Sequence, residues 1–180
     1  MNKPTEVIHG HIIHEIMPRN KNFPNNAYLP LLVYKGALRL HPADEPEAIT
    51  ALFADNNWLN SWKDGIFDYH HYHSNTHEVL GVFCGRADVE FGGPEGVCVE
   101  LVRGDVVVIP AGVAHKRIFC TTDFLCIGAY PNGKEYDIKY GKEEELAEAG
   151  KNIKNASVPE KDPVFGGSGP VLEFWSKKMD

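Results

Sequence analysis

The chain has 180 residues, 43% of them hydrophobic and 24% charged, with a formal net charge of −7. That length and composition suit one folded domain with its own core and exclude a disordered segment. An acidic balance with no basic face argues against nucleic acid as a partner, because phosphate backbones are bound by clustered Lys and Arg.

The N-terminal run MNKPTEVIHGHIIHEIMP lacks the apolar stretch of a secretory signal, and nowhere is there the run of roughly 20 apolar residues that a membrane helix needs. A cytoplasmic protein without membrane contact is the expectation. Cys84, Cys98, Cys120 and Cys126 are irregularly spaced and form no C-x-x-C pair. They read as reduced, mostly buried small hydrophobes.

Residues 1–27 form an N-terminal extension ending in the turn cluster Asn22-Phe23-Pro24-Asn25-Asn26. Within it, His11-Ile12-Ile13-His14-Glu15 matches no zinc-protease signature and reads as an ordinary strand. Tyr28–Leu40 predicts a strand or strand pair interrupted by Pro30 and Gly36. Glu45–Trp62 predicts a helix, with Ile49, Leu52, Phe53 and Trp58 at helical spacing after Pro46.

From Ile66 the pattern turns to short β-runs with Gly and Pro punctuation. Strands are predicted over 66–73, 77–84, 86–91, 97–102, 105–109, 114–119 and 123–130. So many strands with such short links predict an all-β antiparallel sandwich or barrel, not alternating β/α units. The core barrel is expected from 28–40 and 64–130, with 170–176 returning as a further strand. The C-terminal extension, 131–180, adds a surface helix over 142–153 and a Pro- and Gly-rich tail that wraps the domain. Gly166-Gly167-Ser168-Gly169 has no Lys for a phosphate loop and reads as a flexible turn.

Four of the nine histidines fall within eight residues, in His70-His71-Tyr72-His73-Ser74-Asn75-Thr76-His77-Glu78. Alternate strand residues share a face, so His71 and His73 project together about 7 Å apart and can converge on one ion. The turn Ser74-Asn75-Thr76 lets the chain reverse and brings Glu78 alongside. Two imidazoles and a carboxylate suit one divalent transition metal ion: Fe, Mn, Ni, Co, Cu or Zn. His115, after the apolar run and tight turn of 104–112, is the expected fourth ligand, since a polar ring among apolar neighbours needs a partner. His70 should face away from the site. His77 is out of phase with Glu78, yet at a turn it could orient or replace a ligand.

These two segments resemble the cupin superfamily. Its first motif, G-x5-H-x-H-x(3,4)-E-x6-G, is met by Gly65, His71, His73, Glu78 and Gly85; its second, G-x5-P-x-G-x2-H-x3-N, by Gly104, Pro110, Gly112 and His115. The last position departs, with Phe119 in place of Asn, which implies a more apolar cavity floor and weakens any carry-over from germin-like seed proteins. The resemblance spans about a third of the chain. It implies a cupin jelly roll (a double-stranded β-helix barrel) with a few peripheral helices, like the bacterial single-cupin proteins with terminal extensions, and a homodimer.

If the histidines point into the barrel, alternation carries Tyr69, Arg117 and Phe119 inward as candidate substrate contacts. Arg117 would meet either a ligand carboxylate or phosphate, or an internal partner such as Glu90 or Glu100. Four protein ligands on a six-coordinate ion leave two positions open, enough for a substrate and O₂. The chain is therefore expected to act on a small organic molecule, foremost as a dioxygenase. The alternatives are a cupin isomerase or epimerase, or a small-molecule or metal-binding cupin without turnover.

Overall fold

Short apolar runs punctuated by glycine and proline fold as strands because each can bury a face only against its neighbours. A computed structural model of the chain describes residues 6–42 and 46–175, so Glu45 and residue 176 of the predicted elements lie outside the described residues. The strands are β1 (Glu6–Val7), β2 (Ile12–Met17), β3 (Asn26–Tyr34), β4 (Leu38–Arg39), β5 (Trp58–Asp64), β6 (Glu78–Cys84), β7 (Arg86–Phe91), β8 (Val97–Val102), β9 (Val106–Ile109), β10 (His115–Cys120) and β11 (Leu125–Pro131). The helices are α1 (Pro46–Asp55), α2 (Leu146–Asn155) and α3 (Pro170–Phe174).

A six-stranded sheet in the order β2-β3-β9-β6-β11-β5 faces a three-stranded sheet, β10-β7-β8, and β1 pairs with β4 as a separate ribbon. All the pairings are antiparallel, as expected of a jelly roll. Between the two sheets lies one core: Leu31, Val33, Leu80, Val82, Val107, Ile109 and Cys126 meet Ala87, Val89, Phe91 and Leu101. The alternate residues of the large sheet, Leu32, Tyr34, Val79, Val106, Val108, Ile127 and Ala129, form a second core on its outer face. Ile49 and Phe53 of α1, with Trp58, Val164, Val171 and Trp175, cover them. Burial on both faces explains why β9 is an unbroken apolar run instead of an alternating one. The same parity turns Glu78, two residues before Leu80, toward the barrel interior.

Three predicted elements differ. The strand expected over 66–73 does not form: the segment makes only isolated bridges at His71, to His115, and at Tyr72, to Lys139, because those two residues pair with different segments and no single neighbour runs alongside. The helix expected to reach Trp62 stops at Asp55, where Asn57 adopts a left-handed backbone (φ 63°), and the chain leaves as β5 along the free edge of β11. Pairing with that edge outweighs the helical spacing of Trp58 and Trp62. The returning segment is not a strand but α3, started by Pro170 at its first turn. Its neighbour Trp175 is buried and donates its indole N–H to the Pro30 carbonyl, 2.9 Å away. The glycine run at 166–169 begins in a pinned turn. There the buried Asp162 carboxylate accepts the Tyr34 hydroxyl (2.6 Å) and the N–H groups of Val164, Phe165 and Val171.

His11–Glu15 falls largely in β2, as an ordinary strand. All four cysteines are unpaired, but only Cys126 is buried; Cys98 is exposed and the other two are half-buried. Among the described residues no helix is long and apolar enough to cross a membrane.

Candidate metal centre

His71, His73 and His115 converge at one end of the barrel, each buried, with one ring nitrogen of each within 4.8 Å of the others. His71 and Tyr72 do not belong to a regular strand; they form isolated bridges, His71 to His115 and Tyr72 to Lys139. The His71–His115 bridge, closed by N–H···O bonds of 3.2 and 2.9 Å, sets the two rings side by side with centroids 4.1 Å apart. His73 is placed by its carbonyl, which accepts the Gly112 N–H at 2.8 Å. Gly112 turns there with φ 93°, and a side chain would meet the Asn25 carbonyl at 2.4 Å, so this turn requires glycine.

Each imidazole is oriented from behind. The Nδ1–H groups donate to backbone carbonyls: His71 to Tyr69, His115 to Val113 and His73 to Asp137. That fixes one tautomer and leaves three Nε2 lone pairs facing the centre. Glu78 completes the cluster, with Oε2 3.4 Å from His73 Nε2 and Oε1 3.4 Å from His115 Nε2. Its Oε2 also accepts the Tyr130 hydroxyl at 2.6 Å, and Tyr130 in turn accepts the Trp62 indole N–H at 2.8 Å.

This donor set fits a divalent ion. Three lone pairs and a carboxylate, all less than a tenth exposed, confront one another, and acceptors so placed repel unless a cation or a proton lies between them. Burial, then the charge of His115, pulls His71 down to about 3, so it is neutral and ready to ligate. Burial also lowers His73, but the Glu78 carboxylate and the bonds His73 makes to it and to Asp137 outweigh that, with a net rise. For Glu78 burial acts upward, and the two imidazoles beside it more than reverse this, holding it well below the usual carboxylate range.

The centre forms the floor of a cavity of about 330 Å³. Its walls include Trp62, Ile66, Phe67, Leu80, Tyr130 and Tyr136, and its charged groups beyond Glu78 are Lys63, Asp64 and Arg117. Arg117 pairs with neither Glu90 nor Glu100, which are taken by His70 (3.5 Å) and Arg86 (3.0 Å). It lies 3.7 Å from the exposed Asp68 carboxylate and donates to Cys120 Sγ at 3.2 Å. Phe119 does not share its face. The register of β10 shifts between Arg117 and Phe119, and the Phe119 ring, 48% exposed, turns outward beneath the Arg86 guanidinium at 5.3 Å. The cavity floor is polar, not the apolar one expected from an aromatic at that position. The Tyr69 ring, 40% exposed, stacks on Phe67 outside the cavity, so Tyr69 serves the centre through its carbonyl.

The family model for cupins matches residues 63–118. The "uncharacterized protein YjlB" of Bacillus subtilis (strain 168) is 44% identical over 160 residues, which cover 89% of this chain and 94% of that one. The chain belongs to the cupin family. Among solved structures, this cupin is similar to acireductone dioxygenase from Bacillus anthracis, solved with a cadmium ion in its active centre: 18% identity, 52% of this chain, 63% of that chain, TM-score 0.38. It is also similar to QdtA, a sugar 3,4-ketoisomerase from Thermoanaerobacterium thermosaccharolyticum in complex with TDP: 17% identity, 51% of this chain, 71% of that chain, TM-score 0.36.

Several groups around this cupin's centre escaped sequence reasoning. Tyr130 was within reach: alternation along β11 puts Cys126, Gly128 and Tyr130 on the inner face. Trp62 was hidden by the helical reading of its segment. Tyr136 and Asp137 come from the C-terminal extension, whose sequence carries no signal for the site. His70 and His77 both lie off the centre. His70 turns to Glu90, while His77 accepts the Ala111 N–H at 2.8 Å and donates to the Ser157 carbonyl at 3.1 Å.

Proposed function

We propose that this cupin is a metal-dependent enzyme that oxidises a small organic molecule with O₂, a dioxygenase. The observation that carries this reading is the set of three converging Nε2 lone pairs with Glu78 on the floor of a solvent-reaching cavity. At about 330 Å³ the cavity sits at the lower end of small-molecule sites. Bound there, a redox-active ion such as iron or manganese would supply the electron transfer that O₂ chemistry requires. The protein's own part is to hold the ligands in one tautomer through three backbone carbonyls. It also keeps Glu78 ionised and presents aromatic walls to a planar or partly apolar substrate.

Isomerisation would need a base poised over the substrate. Apart from Glu78, the lining carboxylate is Asp64, which is exposed and engaged by the Gly65 N–H at 2.7 Å. The isomerase alternative therefore lacks a poised carboxylate base. Oxygen uptake by Fe(II)-loaded protein across catechols, diketones, flavonols and thiols tests the proposal. Uptake with one class, abolished in His115→Ala, is the expected result. Proton exchange detected by NMR without O₂ consumption would replace the reading by an isomerase. Ligand-induced thermal shifts without any turnover would replace it by a binding protein.

A further inference from the structure

The cavity carries two cations that the metal site does not use. Lys63 on β5 and Arg117 on β10 both line it, on opposite sheets of the barrel, together with the exposed Asp64. Among the described residues Lys63 makes no ion pair. The pair made by Arg117 is with Asp68, at 3.7 Å, too long for a hydrogen bond, and the side chains are 31% and 71% exposed. An exposed pair of that kind contributes little and yields readily to a better partner. The second contact of Arg117, the Cys120 thiol, is a weak acceptor and engages one of five guanidinium N–H groups. Most of the donors of Arg117 are therefore free to serve a ligand.

Charge points the same way. With a divalent ion on the floor, the lining groups sum to Lys63, Arg117 and the ion against Asp64 and Glu78, a positive excess in an apolar-walled site. Resting on the reading of this cavity as the substrate site, we infer that its substrate is a small carboxylate, held by Arg117 with Lys63 assisting, while the rest of the molecule lies between Trp62, Phe67 and Tyr136 above the metal ligands. A planar guanidinium matches the two oxygens of a carboxylate in a forked pair. Phosphate fits less well. The lining has no Ser or Thr hydroxyl and no helix N-terminus, which leaves only the Lys63 ammonium and the Tyr136 hydroxyl for its further oxygens.

Calorimetric titration of the full-length chain with benzoate, salicylate and 2-oxobutyrate, against benzamide and inorganic phosphate, tests this. It is run on metal-loaded and on chelator-treated protein, so that a carboxylate bound only to the ion is recognised. Binding of at least one carboxylate to both forms is expected, with benzamide and phosphate silent. Arg117→Met should weaken that binding about tenfold or more and Lys63→Met by less, as for loss of a charged hydrogen bond. Circular dichroism of both variants confirms that they fold. Equal affinity for benzoate and benzamide, unchanged affinity in Arg117→Met, stronger binding of phosphate, or no carboxylate bound at millimolar concentration would each overturn the inference. Failure of the oxygen-uptake assay would not, because binding to the chelated protein is read without turnover.

Discussion

Tyr130 shows how one side chain outside the candidate ligand set can govern it. Its hydroxyl donates to Glu78 Oε2 and accepts from Trp62, and its ring stacks on Tyr136 with centroids 4.6 Å apart. Tyr130→Phe leaves a buried carboxylate oxygen and an indole N–H unpaired, and should cost about 1–3 kcal/mol in chemical denaturation. Freed from that bond, Glu78 is less well oriented. Cobalt titration of the same variant, followed by its visible spectrum, should show affinity about tenfold to a hundredfold weaker.

His77 acts on stability instead. Burial lowers it to about 4, and its two bonds to Ala111 and Ser157 use the neutral ring. A histidine depressed in the folded state gives stability that is full above its unfolded value near 6.5. That stability is lost as pH falls from there toward about 4, because the unfolded chain binds the extra proton first. In chelator, where no metal is lost on acidification, the wild type should lose about 3 kcal/mol more than His77→Gln across that window. Parallel curves for the two proteins would refute it.

Among the elements, β11 is the one on which the centre depends most. It is flanked by β5 on one side and β6 on the other, so Trp62, Tyr130 and Glu78 come from three adjacent strands. The Trp62 indole lies flat against Gly128, where an added Cβ would sit 2.2 Å from Cε2 and Cζ2 and 2.6 Å from Nε1. Gly128→Ala must therefore push the indole away from the Tyr130 hydroxyl. An overpacking penalty of about 1–3 kcal/mol is expected, with a change in tryptophan emission reporting the displaced ring. Unaltered emission and stability would mean that the strand pair yields without moving Trp62.

The C-terminal extension contributes as much as a barrel strand. Asp137 supplies the carbonyl behind His73 and clamps the 73–75 turn through Ser74, whose N–H donates to Oδ1 at 2.6 Å and whose hydroxyl donates to Oδ2. Asn152 of α2 reaches the same hydroxyl at 3.0 Å, and Ile153 packs with Phe23, Tyr72 and Ala114 beneath the turn. The extension thus fixes the turn that follows His73 from outside the barrel.

For the whole molecule, the centre joins both sheets: Glu78 opens β6, His115 opens β10, and His71 and His73 lie on the connection between β5 and β6. An ion bound to all four would cross-link them in the folded state alone. Adding Mn(II), Ni(II) or Co(II) to chelator-treated protein should raise the unfolding temperature, by the equivalent of about 2.7 kcal/mol at a hundredfold excess over Kd. His115→Ala should abolish the shift. Because His73 is raised when no ion is present, a proton competes for the same place. The metal-induced shift should therefore shrink as pH falls, starting above the ordinary histidine value. A shift independent of pH would contradict the cluster as described.

What the sequence by itself determined was local: six of the seven strands expected between Ile66 and Tyr130, within a few residues, the convergence of His71 and His73, and the spacings that bring in Glu78 and His115. Those follow from period-two alternation and from turn residues, which act over a few positions. Tertiary structure decided the rest. Trp58–Asp64 became a strand because an open β11 edge was there to pair with, and 170–174 became a helix over the outer core. One extra residue in β10 sent Phe119 outward while leaving Arg117 in the cavity. The carbonyl of Asp137, the hydroxyl of Tyr130 and the indole of Trp62 reach the centre across 64, 52 and 68 residues of chain in their hydrogen bonds. No local pattern encodes such contacts, since they exist only once the sheets have closed.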